Sequence, residues 1–299
     1  MSGQSLFLLA HKLNSMTRQE QQQENPDIDF SSILHSPCTL IALNQPLPIS
    51  LLARALEITT NDKRQNTLIA ADGGADRLVK ASMYASTRLD RNVDLDTFVP
   101  DIVTGDFDSI SASCLEHLTS HPQCTVKKEY GQDTTDLQKC LQYVDQVQPK
   151  EPTGVAASRP VFALGALGGR LDHSLSNISL LQKVKSMSLT LVSIESTAQL
   201  IPAGKTTIYC LESLQGPTCG LIPVYGPVHV KTMGLKWEIS GEMAMNGLVS
   251  SSNSFKGLDE TDDQYRLVRN GKVYYKVTVE TSRDILWTCE LKREANEHQ

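Results

Sequence analysis

The stretch Pro100-Asp101-Ile102-Val103-Thr104-Gly105-Asp106-Phe107-Asp108-Ser109 carries the clearest chemical signal in the chain. In an extended chain side chains two apart project the same way, so Asp106 and Asp108 would present two carboxylates side by side. Ionised carboxylates that close repel each other unless a hard divalent cation sits between them. Mg²⁺ held by one or two carboxylates commonly binds substrate phosphates as well. Taken alone, the stretch also reads as an Asx-rich turn after a strand, because Gly, Asp and Ser are common turn formers. Three further acidic or glycine-rich motifs, each at the end of an expected strand, favour the cation-binding reading.

The first of these, Asp72-Gly73-Gly74-Ala75-Asp76, follows the apolar run Thr67 to Ala71 and precedes a helix beginning within Arg77 to Ser82. Glycines let a backbone approach a ligand closely and helix N-termini carry unpaired N–H donors, which together make a phosphate seat. It is neither G-x-G-x-x-G nor a Walker A motif. The second, Gly131-Gln132-Asp133-Thr134-Thr135-Asp136, opens a helix whose apolar face is Leu137, Cys140, Leu141, Val144 and Val147. Asp136 and Lys139 fall together on its first turn, where a carboxylate and an ammonium can meet one ligand. Plain capping by Thr134 or Thr135, with an acid compensating the helix dipole, also fits. The third runs Leu164-Gly165-Ala166-Leu167-Gly168-Gly169-Arg170-Leu171-Asp172-His173. There Arg170 can fork onto phosphate oxygens and Asp172 can hold a metal, or the two can form a local ion pair. His173 is as readily a solvated surface residue as a ligand.

The elements that must position these groups alternate. Cys38 to Asn44, Thr67 to Ala71, Thr125 to Lys128, Val161 to Ala163 and Leu189 to Ile194 read as strands. Ser50 to Thr59, Ser111 to His121 and the segment after Leu171 read as helices. Such alternation argues for a mostly parallel sheet, and ligands on such sheets gather at the carboxyl ends of strands, where all four motifs lie. From about Gln199 helical periodicity stops. Thr206 to Leu211, Gly220 to Val224, Val228 to Met233, Leu248 to Ser252 and Tyr274 to Glu280 then fit a small antiparallel β-sandwich. The expected organisation is a disordered or loosely helical tail over 1–36, an α/β domain over 37–198 and a β-sandwich domain over 199–299. Gln146 to Pro160 reads as an exposed loop and Lys256 to Gly271 as a long hairpin loop.

With 40% hydrophobic and 21% charged residues in 299, the chain has the composition of a globular protein, and no apolar run approaches the roughly 20 residues of a membrane span. A net charge of -6 without a basic cluster disfavours nucleic acid as partner, though not a phosphate ligand neutralised by metal. Seven scattered cysteines, with no C-x-x-C pair, suggest neither a disulfide framework nor a zinc site and suit a reducing, cytoplasmic setting.

Together with Gly234-Leu235-Lys236-Trp237 and Leu248-Val249-Ser250-Ser251-Ser252-Asn253, the four motifs resemble eukaryotic thiamine pyrophosphokinases, most like fungal members, over roughly Cys38 to Leu291. The resemblance implies an α/β domain holding ATP and Mg²⁺ and a β-sandwich domain helping to form a thiamine pocket. It implies transfer of the terminal diphosphate of ATP to the hydroxyethyl oxygen of thiamine, with release of AMP. Asp106, Asp108, Asp136 and Asp172 match the acidic metal and phosphate site. Asp72, Gly73 and Gly74 match the nucleotide-side loop, with Thr135, Lys139 and Arg170 nearby. Gln132, Trp237, Ser250, Ser252 and Asn253 fall on the thiamine side, Trp237 as the ring that stacks on thiamine; indole is the best cation–π face. Either Asp133 or Asp136 could accept the alcohol proton. Family members are homodimers with active sites between subunits, so Trp237 would serve the partner's site. His173 departs from the glutamine of animal members, and Trp287 is expected in the core. A nucleotide-dependent oxidoreductase on the same kind of sheet is disfavoured by the missing G-x-G-x-x-G. A non-catalytic sensor is disfavoured by the complete acidic set.

Overall fold

The computed structural model describes residues 24–57, 59–60, 63–88, 95–131, 133–147, 159–258 and 264–292. Six short strands, β1 (Thr39–Ala42), β2 (Thr67–Ala71), β3 (Ile102–Gly105), β4 (Thr125–Lys128), β5 (Val161–Leu164) and β6 (Leu189–Val192), pair in parallel in the order β4-β3-β2-β1-β5-β6. β1, β3, β5 and β6 are buried at every position, which is why they read as unbroken apolar runs instead of alternating ones. Successive residues feed two cores. Leu40, Leu68, Val103 and Phe162 pack with helices α1 (Ile49–Leu56), α2 (Gly74–Arg88) and α3 (Ala112–Ser120). Ile41, Ile69, Ile102 and Ala163 pack with α4 (Asp136–Val147) and α5 (Leu171–Lys183). The edge strand β4 is largely exposed and carries Lys127 and Lys128, a charged edge that discourages further pairing. β2 to β4 step away from β1 on one side, while β5 and β6 lie on the other. The strand order thus reverses between β1 and β5, the place where open α/β sheets bind ligands.

Beyond β6 the chain forms β7 (Ser196–Ile201), β8 (Gly204–Leu211), β9 (Gln215–Ile222), β10 (Val228–Met233) and β11 (Ser240–Met243). Then follow β12 (Ser250–Ser254), β13 (Arg266–Arg269), β14 (Lys272–Thr281) and β15 (Ile285–Leu291). β7, β15, β9 and β12 add antiparallel to β6, extending the parallel sheet to ten strands. β8, β14, β10, β11 and β13 make a second sheet. Leu221, Trp287 and Cys289 of the long sheet face Ile208, Val230, Val277 and Val279 of the second, and this is the sandwich core. β10 alternates buried and exposed residues, as expected for a sheet with one wet face. The expected long loop over Lys256 to Gly271 is corrected in part. It contains β13, closed onto β14 by a two-residue turn at Asn270 (φ 50°) and Gly271 (φ 73°), the left-handed pair that hairpins favour. Residues 259–263, and 148–158 of the other expected loop, lie outside the described residues.

Of the segment expected to be a loose tail, residues 1–23 lie outside the described residues, and residues 24–36 are built into the fold. Asn25 Nδ2 donates to Pro202 O and Thr206 Oγ1, Ile28–Asp29 pairs in parallel with β8, and Asp29 caps a 3₁₀ turn over Phe30–Leu34. Phe30 and Ile33 are fully buried, with the Phe30 ring edge-on to Phe162 at 5.7 Å. This strap joins the edge of the second sheet to the core under the parallel strands.

Candidate active site

At the carboxyl end of β2, Asp72 is completely buried and takes a left-handed φ of 46°. Its carboxylate accepts the backbone N–H of Ile110 (2.9 Å) and of Ser109 (3.2 Å), while Gly73 N–H donates to Ser109 Oγ (3.1 Å). The two acidic loops therefore fasten each other. Their closeness explains the glycines: a Cβ on Gly105 would lie 2.8 Å from Asp72 Cβ, and one on Gly74 only 2.0 Å from Ala42 O. Phe107 is also left-handed (φ 65°), so the chain turns between Asp106 and Asp108 and the side-by-side placement expected of an extended chain does not form. Asp106 turns inward, half-buried, and Asp108 stays exposed.

The carboxylates that do converge are those of Asp72, Asp106 and Asp136, with oxygens all within 4.8 Å of one another. Asp136 opens α4, where Thr135 and Gln138 form a capping box: Thr135 N–H donates to Gln138 Oε1 (2.8 Å) and Gln138 N–H to Thr135 Oγ1 (3.3 Å). One turn on, the buried Lys139 sets its Nζ 3.0 Å from Asp136 Oδ1 and 3.9 Å from Asp106 Oδ2. Asp172 instead turns onto Arg170 in an exposed bidentate pair (2.6 and 3.1 Å), which holds its carboxyl below the usual range. A cavity of about 790 Å³ is lined by Asp106, Asp108, Thr135, Asp136, Lys139, Arg170, Asp172 and His173 among others, while the fully buried Asp72 and the glycines Gly73 and Gly74 do not border it.

The cavity also takes in Asn44 and Gln45, which belong to none of the acidic or glycine-rich motifs. They follow β1 at the point of strand reversal. Arg77 Nε donates to Asn44 Oδ1 (3.1 Å), and a Cβ on Gly169 would meet the Gln45 side-chain amide at 2.6 Å. The strand-end rule, applied to Cys38 to Asn44 as it was to the other strands, would have named them. Of the other expected site residues, Asp133 is exposed and does not border the cavity, and Gln132 lies outside the described residues. Trp237, Ser250, Ser252 and Asn253 sit on the sandwich, and none of them borders the cavity of their own chain. Trp237 is 56% exposed, whereas Trp287 is buried in the sandwich core.

Three carboxylates sharing one ammonium leave the cluster with excess negative charge. Burial first, then Asp108 beside it, raises the Asp72 pKa against the hydrogen bonds of Ser109 and Ile110. Burial first, then the charges of Asp72 and Asp106, raises that of Asp136 in spite of Lys139. Burial pulls Lys139 down, but Asp136, Asp106 and Asp72 outweigh it and its pKa is raised. A carboxyl with a raised folded-state pKa favours the fold more as pH falls through that value and opposes it above. Metal-free protein is therefore expected to melt higher as pH drops from 7 toward the carboxylate range, and saturating Mg²⁺ should erase most of that gain. Thermal melts with and without EDTA would measure this. A metal-free melting temperature that only falls over that interval would contradict the charge assignment.

Oxygen donors, converging and in charge excess, are the donor set a hard divalent cation takes. Two family descriptions match: "Thiamin pyrophosphokinase, catalytic domain" over residues 60–193 and "Thiamin pyrophosphokinase, vitamin B1 binding domain" over 205–261. Thiamine pyrophosphokinase 1 of Arabidopsis thaliana is 32% identical over 257 residues, covering 85% of this chain and 86% of that protein. The thiamine pyrophosphokinase of Saccharomyces cerevisiae is 25% identical over 251 residues, covering 67% and 76%. Identity is thus higher to this plant relative than to the yeast one, and the fungal leaning of the motifs is not upheld. The crystal structure of yeast thiamin pyrophosphokinase shares the fold at a TM-score of 0.70, with 21% identity over 91% of this chain and 93% of that one. With its parallel sheet, its sandwich and both sets of motifs accounted for, the chain belongs to the thiamine pyrophosphokinase family.

Proposed function

We propose that the cavity at the strand reversal binds ATP with Mg²⁺ and that the chain transfers the diphosphate of ATP to thiamine, giving thiamine diphosphate and AMP. The observation carrying this reading is the convergence of Asp72, Asp106 and Asp136 around the buried Lys139. The three carboxylates would hold Mg²⁺, which when bound neutralises the triphosphate and aligns it. Asp108 and Asp172, which line the cavity together with Asp106 and Asp136, are further candidates. Gly73 and Gly74 let the start of α2 pack tightly against Ala42 and Asn44 at the end of β1, which sets that helix N-terminus beside the acidic cluster. Lys139 and Arg170 add positive charge, with Arg170 released from Asp172 when phosphate competes for its fork. The thiamine hydroxyl oxygen bonds to the β-phosphorus as the bridging bond to the α-phosphoryl group breaks, and that bond's electron pair leaves with AMP. Of the two carboxylates considered for the hydroxyl proton, only Asp136 borders the cavity.

Thiamine stacks on Trp237 of a second copy in this reading. The motif supplies the role, and the exposed indole, which does not line its own chain's cavity, supports it. A protein that sediments as a monomer at assay concentration while turning over would remove that part. The free cysteines are compatible with a reducing, cytoplasmic setting, and among the described residues no helix is long and apolar enough to cross a membrane. The division into an α/β unit over 37–198 and a sandwich unit over 199–299 remains our working description.

Purified protein given thiamine, ATP and Mg²⁺ should release AMP in step with thiamine diphosphate, and EDTA should stop both. ADP with thiamine monophosphate would keep the site and displace the attacked phosphorus. No thiamine-dependent turnover by folded protein would favour the sensor.

A further inference from the structure

Trp237 projects from a segment that is otherwise tied down along its length. Gly234 has a φ of 96°, and a Cβ there would lie 2.2 Å from Lys276 O, so only glycine fits. Glu238 accepts Gly234 N–H (3.0 Å), Thr232 Oγ1–H (2.8 Å) and Lys256 Nζ (2.6 Å), Leu235 is buried, and Lys236 N–H donates to Ser254 O (2.7 Å). The indole is left 56% exposed beside the exposed Lys236, whose Nζ lies 4.8 Å from its ring centre.

Asn253 is the part of this pedestal that holds Trp237 itself. It is 4% exposed. Its Oδ1 accepts Trp237 N–H (3.1 Å) and Ser254 N–H (2.9 Å), and its Nδ2 donates to Trp237 O (2.8 Å) and Ser250 Oγ (3.3 Å). A side-chain amide has two donor hydrogens and two acceptor lone pairs, so Asn253 has no capacity left for a ligand. We infer that Asn253 is a positioning residue of the thiamine pocket, fixing the backbone of Trp237 from both its N–H and its C=O so that the indole is held ready for a planar cationic ring. This rests on the reading of Trp237 as the thiamine platform. It replaces a direct contact of Asn253 with thiamine by an action through Trp237.

The test uses the full chain and a double-mutant cycle between N253D and W237A, with KM for thiamine and for ATP measured separately. N253D keeps the volume and both acceptor bonds but turns an oxygen toward the Trp237 carbonyl; N253A removes all four bonds, and N253D carries the test if N253A does not fold. In the wild-type background N253D should raise KM for thiamine about tenfold with kcat and KM for ATP within about twofold. In the W237A background it should add less than about twofold, because a residue that acts only through Trp237 has nothing left to act on. The chain has two tryptophans, one buried at 1% exposure and one at 56%, so the acrylamide-accessible fluorescence reports Trp237 alone. Its anisotropy should fall in N253D while the shielded emission of Trp287 is unchanged.

A full N253D effect surviving in W237A would show that Asn253 meets thiamine directly, and a parallel rise in both KM values would make it merely structural. Either overturns the inference. Unchanged thiamine KM in W237A alone would instead overturn the platform reading, leaving the anisotropy change as evidence for the positioning.

Discussion

Asp106→Asn should lower AMP release by at least about a thousandfold, since charge compensation at a transferring phosphoryl group supplies several kcal/mol of barrier. The substitution is nearly isosteric and takes one negative charge from a cluster of three whose oxygens lie within 4.8 Å. Mg²⁺ affinity, measured by calorimetry, should fall with turnover. Lys139, left closest to Asp136 at 3.0 Å, would then neutralise much of the remaining charge. Asp136→Asn should lose turnover to a similar degree yet melt higher than the wild type at neutral pH without metal. Burial and the neighbouring carboxylates disfavour the Asp136 charge more than Lys139 favours it, and a neutral amide escapes that conflict. Activity and metal-free stability would then move in opposite directions at one residue, which general damage to the fold does not produce. Asp133→Asn is the control, expected within about twofold of wild type because Asp133 is exposed and off the cavity wall. Residual turnover of Asp106→Asn within tenfold of wild type, at undiminished Mg²⁺ affinity, would remove the cluster from the chemistry.

Why the sequence revealed some of this site and not the rest follows from which signals are local. Strand ends followed by glycine and acid are local, so Asp72, Asp106, Asp136 and Arg170 stood out at once, as did the alternation that orders the sheet. Which carboxylates would meet was not local. Asp72 joins the cluster and Asp108 stays outside because of left-handed backbone at Asp72 and Phe107, neither of them a glycine to advertise it. The extension of the parallel sheet into the sandwich through β7 and β15 pairs residues as far apart as Ser196 and Glu290, and nothing in either strand names its partner. Asn253 was readable as a motif residue. That its amide is spent on Trp237 and its own neighbours is visible only once the segment between β10 and β11 is brought against β12.

The same limit hid the strap, and it sets the last expectation. A chain beginning at Glu24 and one beginning at Pro37 differ only in residues 24–36, read from sequence as tail because a two-residue strand and one 3₁₀ turn leave almost no periodicity. Phe30 and Ile33 nevertheless lie 1% and 0% exposed in the core that also holds Leu40, Leu68, Phe162 and Leu164. Losing a buried Phe costs about 3–5 kcal/mol and a buried Ile about 2–5. Their sum rivals the about 5–15 kcal/mol that separates a folded domain from its unfolded chain. The strap's other contacts go too: Ser31 Oγ to Tyr274 OH at 3.3 Å, and Asn25 to Thr206 at 3.1 Å. The chain beginning at Pro37 should therefore lose its cooperative melt or its solubility, while the one beginning at Glu24 keeps both. Phe30→Ala in the full chain is the graded version. Its melting temperature should fall by about 10 °C, and below the transition its KM values should match wild type, because the strap's contacts to Phe162, Thr206 and Tyr274 are not to residues lining the cavity. A chain from Pro37 that melts within about 2 °C of the chain from Glu24 would show that the core closes without Phe30 and Ile33. An Phe30→Ala enzyme whose KM for ATP rises while its melt is unchanged would move the strap from stability to the site.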